Sequence, residues 1–88
     1  MIKIKVTQKH IDNGISGNET SCPIALSLKT KQKKPVFVSH GNIIQIGNRD
    51  YIGVDKKEVR RISRFIKMFD DGCKVKPTTF KIKSDNSW

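Results

Sequence analysis

Residues 2–6 alternate Ile-Lys-Ile-Lys-Val, the two-residue period of a half-buried strand. Ile2, Ile4 and Val6 then face a core, and Lys3 and Lys5 face outward. Thr7 is placed to cap a short turn of helix reaching His10, and Asn13-Gly14 ends it. Residues 14–21 read as a polar loop. Pro23, preceded by Ser21 and Cys22, suits a first helical position. Pro23-Ile24-Ala25-Leu26-Ser27-Leu28 starts a second helix that dissolves within Lys29–Lys34. Pro35 opens a strand over 36–39, His40-Gly41-Asn42 turns the chain, and Ile43–Ile46 returns. Gly47-Asn48-Arg49-Asp50 reads as a further turn, with Tyr51–Val54 a short extended piece. Asp55, followed three residues later by Glu58, is a capping box of the acidic type. Val59, Ile62, Ile66 and Phe69 recur at helical spacing, Phe65 widens the stripe, and Gly72 stops the helix. Lys74-Val75-Lys76-Pro77 leads into a last strand over Thr78–Lys83, with Phe80 and Ile82 inward. Residues 84–88 read as a frayed tail, from which Trp88 could dock.

The resulting order is β-α-β-β-α-β with the first α interrupted, that of the split βαβ or ferredoxin-like motif. It predicts an α+β fold: one domain over residues 1–83, with two helices backing a four-stranded antiparallel sheet. The first and last strands are neighbours in that arrangement, and Ile2–Val6 and Ile43–Ile46 are central. The 88 residues show no repeat, linker or low-complexity tract. A chain this short forms one domain that buries only about 60% of its unfolded surface, so the core is thin. Its Ile and Val content argues against disorder. No apolar run approaches the roughly 18 residues of a membrane span. The alternating N-terminus lacks the continuous apolar region of a signal peptide. The expectation is a soluble, unprocessed, intracellular protein that does not engage a membrane.

Charge adds the first hint of function. Eighteen Lys and Arg face eight Asp and Glu, a formal net charge of +10. Solubility alone is served by about 2–8 charges on a small domain, and a field of this size attracts polyanions. Fourteen of the eighteen basic residues are Lys. Lysine meets phosphate as a point charge, whereas base reading favours arginine forks. Nucleic-acid binding by this chain is therefore expected to be directed at the backbone.

The basic residues fall into three patches. In the expected topology Lys3 and Lys5 lie beside Lys81 and Lys83 on the open sheet face. Like charges opposite one another across strands are destabilising, which makes sense where an anion sits; solvated, splayed lysines are the plainer alternative. On the long helix Lys57, Arg60, Arg64 and Lys67 recur at three- and four-residue spacing and line one face, with Arg61 flanking it. An ordinary solvated helix face has the same pattern. The third patch, Lys29, Lys31, Lys33 and Lys34, lies in a loop and adds affinity without specificity. An RNA-recognition sheet would need stacking aromatics on its central strands, and these carry none; only Phe37 and Tyr51 lie near that surface. No GxxG loop, Walker loop or paired-cysteine zinc signature is present.

Other chemistry is thinly supplied. His10, Cys22, His40 and Cys73 are the soft metal ligands, and their spacing fits no compact zinc pattern. Two cysteines make no disulfide framework, and buried free thiols are the default reading. A Cys22–His10 nucleophile pair is chemically sensible, because a thiolate needs a nearby base or a helix start. Such a pair also needs an orienting group and a pocket. Asp70 and Asp71 end a helix, where turn hydrogen bonds are the commoner role. No cofactor, metal site or catalytic activity is expected.

Two stretches occur together: Val6-Thr7-Gln8-Lys9-His10-Ile11-Asp12-Asn13-Gly14 with Cys22-Pro23-Ile24-Ala25-Leu26, and Phe65-Ile66 with Phe69-Asp70-Asp71-Gly72, Val75, Pro77 and Phe80-Lys81-Ile82. The pattern resembles small bacteriophage-encoded proteins of unknown function, with an HI-x-x-G…CPIA-L front and an FD-x-G-x-x-V-x-P-x-x-F tail. It spans residues 6–82. Ser27 departs from it where Ala is expected, and residues 29–55 have no counterpart. The resemblance implies a phage or prophage origin and the cytoplasm of a bacterial host. Its motif residues read as fold-fixing: Gly14 and Gly72 as helix stops, Phe69 and Phe80 as core.

Together these readings predict a non-catalytic, phage-type accessory protein that binds an anionic partner. Nucleic acid comes first, held by its phosphates on Lys57, Arg60, Arg61, Arg64 and Lys67, with Lys3, Lys5, Lys81 and Lys83 as a second patch and Lys31, Lys33 and Lys34 as a third. An acidic host protein is the other macromolecular partner of that chemistry. The alternative is a counter-defence inhibitor, anti-CRISPR-like or a sponge for a cyclic signalling nucleotide. A Cys22-dependent enzyme is the third class.

Overall fold

The opening alternation becomes strand β1 (Ile2–Val6) in the computed structural model, which describes residues 2–31, 33–38 and 43–84. Ile4 and Val6 are buried, while Lys3 and Lys5 are exposed. Helix α1 (Gln8–Asn13) follows directly, capped by Thr7. The Thr7 backbone N–H donates to His10 Nδ1 at 3.0 Å, and the His10 N–H donates to Thr7 Oγ1 at 3.4 Å. This is a capping box with an imidazole in the place usually held by Glu or Gln. Helix α2 (Pro23–Lys29) starts from Cys22 with Pro23 in its first turn and stops at Thr30. Pro23, Ile24, Ala25, Ser27 and Leu28 are all buried. The Ser27 hydroxyl donates to the Ile24 carbonyl at 2.8 Å, which is how a serine is accommodated where alanine was expected.

Three strands come next: β2 (Val36–Val38), β3 (Ile44–Ile46) and β4 (Arg49–Gly53). Helix α3 (Lys56–Asp70) and strand β5 (Thr78–Ser84) complete the described chain. The expected turn at His40-Gly41-Asn42 lies outside the described residues, as does the tail beyond Ser84. That last residue extends β5 one position past the expected strand end.

The α+β class is as expected; the ferredoxin-like order is not. The sheet has five strands, all antiparallel, in the order β1-β5-β4-β3-β2. The order of elements is β-α-α-β-β-β-α-β. The difference lies at residues 49–53, where the sequence predicts the end of a turn and a short extended piece. Gly47 and Asn48 alone make the turn, and Ile46 pairs directly with Arg49. The positive φ of Gly47, +61°, is what a two-residue type II′ connection requires at its first central position. That tight hairpin forces residues 49–53 alongside β3, and their other edge pairs with β5 through Tyr51–Ser84, Ile52–Lys83 and Gly53–Ile82. β4 therefore takes the centre of the sheet, and β1 stands at an edge rather than in the middle. β1 and β5 are neighbours, as expected, with Ile4 opposite Phe80.

Both edge strands, β1 and β2, touch the seven-residue helix α2. A helix of that length spans only about 10 Å, so the sheet must curl until its edges approach, and α2 fills the seam. Helix α3 lies against β4 and β5. One core unites these parts, including Ile4, Val6, Ile24, Leu28, Val36, Ile44, Ile62, Phe65, Phe80 and Ile82. Phe65 meets Phe80 edge to face, with centroids 5.5 Å apart.

Helix α3 ends as its sequence indicates. Gly72 adopts φ +80°, its N–H donates to the Phe69 carbonyl, and the Cys73 N–H donates to the Met68 carbonyl. These two bonds are the Schellman pattern. The loop after α1 docks on this end: Ser16 Oγ donates to the Phe69 carbonyl at 3.0 Å, and the Gly17 N–H donates to Asp70 Oδ1 at 2.9 Å. The loop between the two blocks of the front motif thus meets the tail motif in space, 53 residues apart in sequence.

Candidate nucleic-acid interface

β1 and β5 build the first part of the surface. Their register sets Lys3 directly opposite Lys81 and Lys5 opposite Thr79, with the core residues on the other face. Lys83 follows two residues after Lys81 on the same side, opposite Ile52 of β4. All four lysines are exposed. Side chains directly opposite in an antiparallel pair have β-carbons about 4.5–5.5 Å apart, and like charges there are destabilising. The lysines occupy one half of the outer face. The β2–β4 half carries Phe37, Gln45, Asp50 and Ile52.

Helix α3 builds the second part. Asp55 caps it, accepting the Glu58 N–H at 2.8 Å. The return half of the expected capping box is used elsewhere, because the Glu58 carboxylate accepts the Lys81 N–H at 2.8 Å and pairs with Arg61. Lys57, Arg60, Arg64 and Lys67 are exposed along the helix. Arg61 is differently engaged: it also donates to Thr78 Oγ1 at 2.9 Å and to the Thr79 carbonyl at 3.2 Å, and its guanidinium lies 5.0 Å from the Phe80 ring centroid. Of the helix cations it is the one built into the fold. Among the described residues the one ion pair is Arg61 with Glu58, and Asp55 lines the same groove as Lys56, Arg60 and Lys83.

Two grooves flank α3. A groove of about 460 Å³ brings Lys56 and Arg60 of the helix to Lys83 of the sheet and so joins the two basic patches. On the other side, a groove of about 350 Å³ has an apolar floor that includes Phe65, Met68 and Val75, with Arg61, Arg64, Lys74 and Lys76 around it. Sequence reasoning missed Lys56, Lys74 and Lys76 as members of the surface. The Lys-Val-Lys alternation at 74–76 is the sequence signal for the last two. Lys29 ends α2 rather than lying in the expected loop, and Lys31, Lys33 and Lys34 follow between α2 and β2; all four are exposed. The stem of Lys34 runs beside Gly47 at the β3–β4 turn, at the other end of β4 from Gly53 in the groove beside α3.

The remaining candidates have structural surroundings. Burial pushes the Cys22 thiol up, the direction opposite to that of an activated nucleophile. His10 is held by Thr7, Cys73 is exposed, and His40 lies outside the described residues. Asp70 bonds Gly17, and Asp71 is the C-cap of α3. Among the described residues no three His, Cys, Asp or Glu side chains gather for a metal, and no helix is long and apolar enough to cross a membrane.

No family model, curated protein or solved structure matches the chain. The site's own geometry therefore carries the functional reading.

Proposed function

We propose that this is a non-catalytic accessory protein of the small phage type that binds nucleic acid through its phosphates. The observation that carries the reading is the Lys3–Lys81 cross-strand pair, extended by Lys5 and Lys83 on the same open face. Four lysines gathered on two paired strands work against the fold in the absence of a polyanion and with it in its presence. The groove that links Lys83 to Lys56 and Arg60 continues the basic surface onto α3, where Lys57, Arg64 and Lys67 extend it. The Lys-rich composition suits point-charge contacts to phosphate rather than base reading. Binding should be fast, steeply dependent on salt and nearly indifferent to sequence.

The test is fluorescence anisotropy with labelled DNA and RNA across a salt series. A linear fall of log affinity with log salt, similar for unrelated sequences, supports phosphate binding. No binding at about 50 mM salt, where such contacts are far stronger than at 200 mM, overturns it.

A further inference from the structure

The groove between α3 and residues 74–78 differs from the lysine face, because it pairs cations with apolar surface. We infer that it receives an unpaired base of a single-stranded nucleic acid, so that the protein prefers single strands to duplex. This inference rests on the nucleic-acid reading above and adds to it the form of the ligand.

Arg61 is the central feature. Glu58, Thr78, Thr79 and the Phe80 ring fix its guanidinium, yet its side chain remains 41% exposed. Its charge is already met by Glu58, so what it offers a ligand is a flat surface in a set orientation. Guanidinium planes are stacking platforms for unpaired bases. Beside it, Met68 is 36% exposed and Val75 is half-buried, giving the apolar contact that a base can use and a phosphate cannot. Arg64, Lys74 and Lys76 line the same groove and are exposed, placed for the phosphates on either side of an inserted base. The groove's volume, about 350 Å³, lies at the lower end of the roughly 300–1,000 Å³ typical of small-ligand sites. A base stacked inside a duplex cannot enter it.

The test compares three labelled probes on the full chain at one salt concentration: a single-stranded oligonucleotide, an abasic strand of equal length and charge, and a duplex. The expected result is that the base-bearing strand binds roughly tenfold more tightly than the abasic one, as base stacking contributes elsewhere. Met68→Ala, at an exposed position, should shrink that ratio. Lys74→Ala with Lys76→Ala should weaken both single strands together. Equal binding of the base-bearing and abasic strands overturns the groove assignment and leaves phosphate binding standing. Tighter binding of the duplex than of the base-bearing strand overturns it as well. Failure of all three probes to bind removes the nucleic-acid reading itself. Capture of an acidic, aromatic-bearing peptide in preference to the base-bearing strand would assign the groove to a protein and contradict the inference.

Discussion

The Glu58 side chain ties helix α3 to strand β5. Its spacing from Asp55 indicated a capping partner, but its carboxylate reaches Lys81, 23 residues on, where β5 has run past the end of β4. Glu58→Ala leaves that N–H without its acceptor and Arg61 without its ion partner. The expected loss is about 1–3 kcal/mol, read as a lower urea midpoint; an unchanged midpoint would contradict the assigned role. The cysteines make a second residue-scale prediction. A thiol reagent near neutral pH should modify exposed Cys73 in the native protein and reach buried Cys22 only after denaturation. Rapid native labelling of both thiols would contradict the burial. Because burial raises the Cys22 thiol, the unfolded chain loses its proton first as pH rises. The contribution of Cys22 is therefore intact below the ordinary thiol range and is lost as pH climbs through the folded value. Cys22→Ala should give a flatter alkaline limb in stability against pH, and an identical limb would place the effect elsewhere.

Elements differed in how legible they were. α3 could be read with its cap, stripe and stop because a fifteen-residue helical period is local information. β4 could not, since Arg49-Asp50-Tyr51-Ile52-Gly53 has no clean alternation and two poor strand formers. It is a strand because β3 and β5 hold it from both sides, and that pairing is non-local. The role of α2 as the filler of a curled sheet was hidden for the same reason. The joint between β4 and α3 can be tested at Gly53. A β-carbon there would lie 2.6 Å from the Val59 backbone nitrogen and 2.9 Å from the Glu58 carbonyl carbon. Backbone cannot yield as a side-chain tip does, so Gly53→Ala should cost about 1–3 kcal/mol. In a domain of this size each kcal/mol lowers Tm by about 4–8 °C. A wild-type Tm in that variant would mean that α3 is not seated on β4 as described.

At the scale of the whole molecule, the lysine alternations at both ends of the chain were visible in sequence. Their meeting depended only on β1 and β5 being neighbours, a feature that survived the change of topology. The grooves beside α3 were not visible, because they depend on β4 and on the irregular path of residues 73–77. A surface kept for a polyanion should trade stability against binding. Lys81→Glu converts a repulsive cross-strand pair into an attractive one, and is expected to raise stability by about 0.2–1 kcal/mol while weakening nucleic-acid binding. A fall in stability would contradict the repulsion argument. The most direct test of the central claim is the salt slope of nucleic-acid affinity, measured for the wild type and for the Lys3→Ala, Lys81→Ala double variant. If both lysines meet phosphates, the slope of log affinity against log salt should shrink by about 2, roughly one for each lost contact. An unchanged slope in a folded variant would show that this face does not hold the nucleic acid.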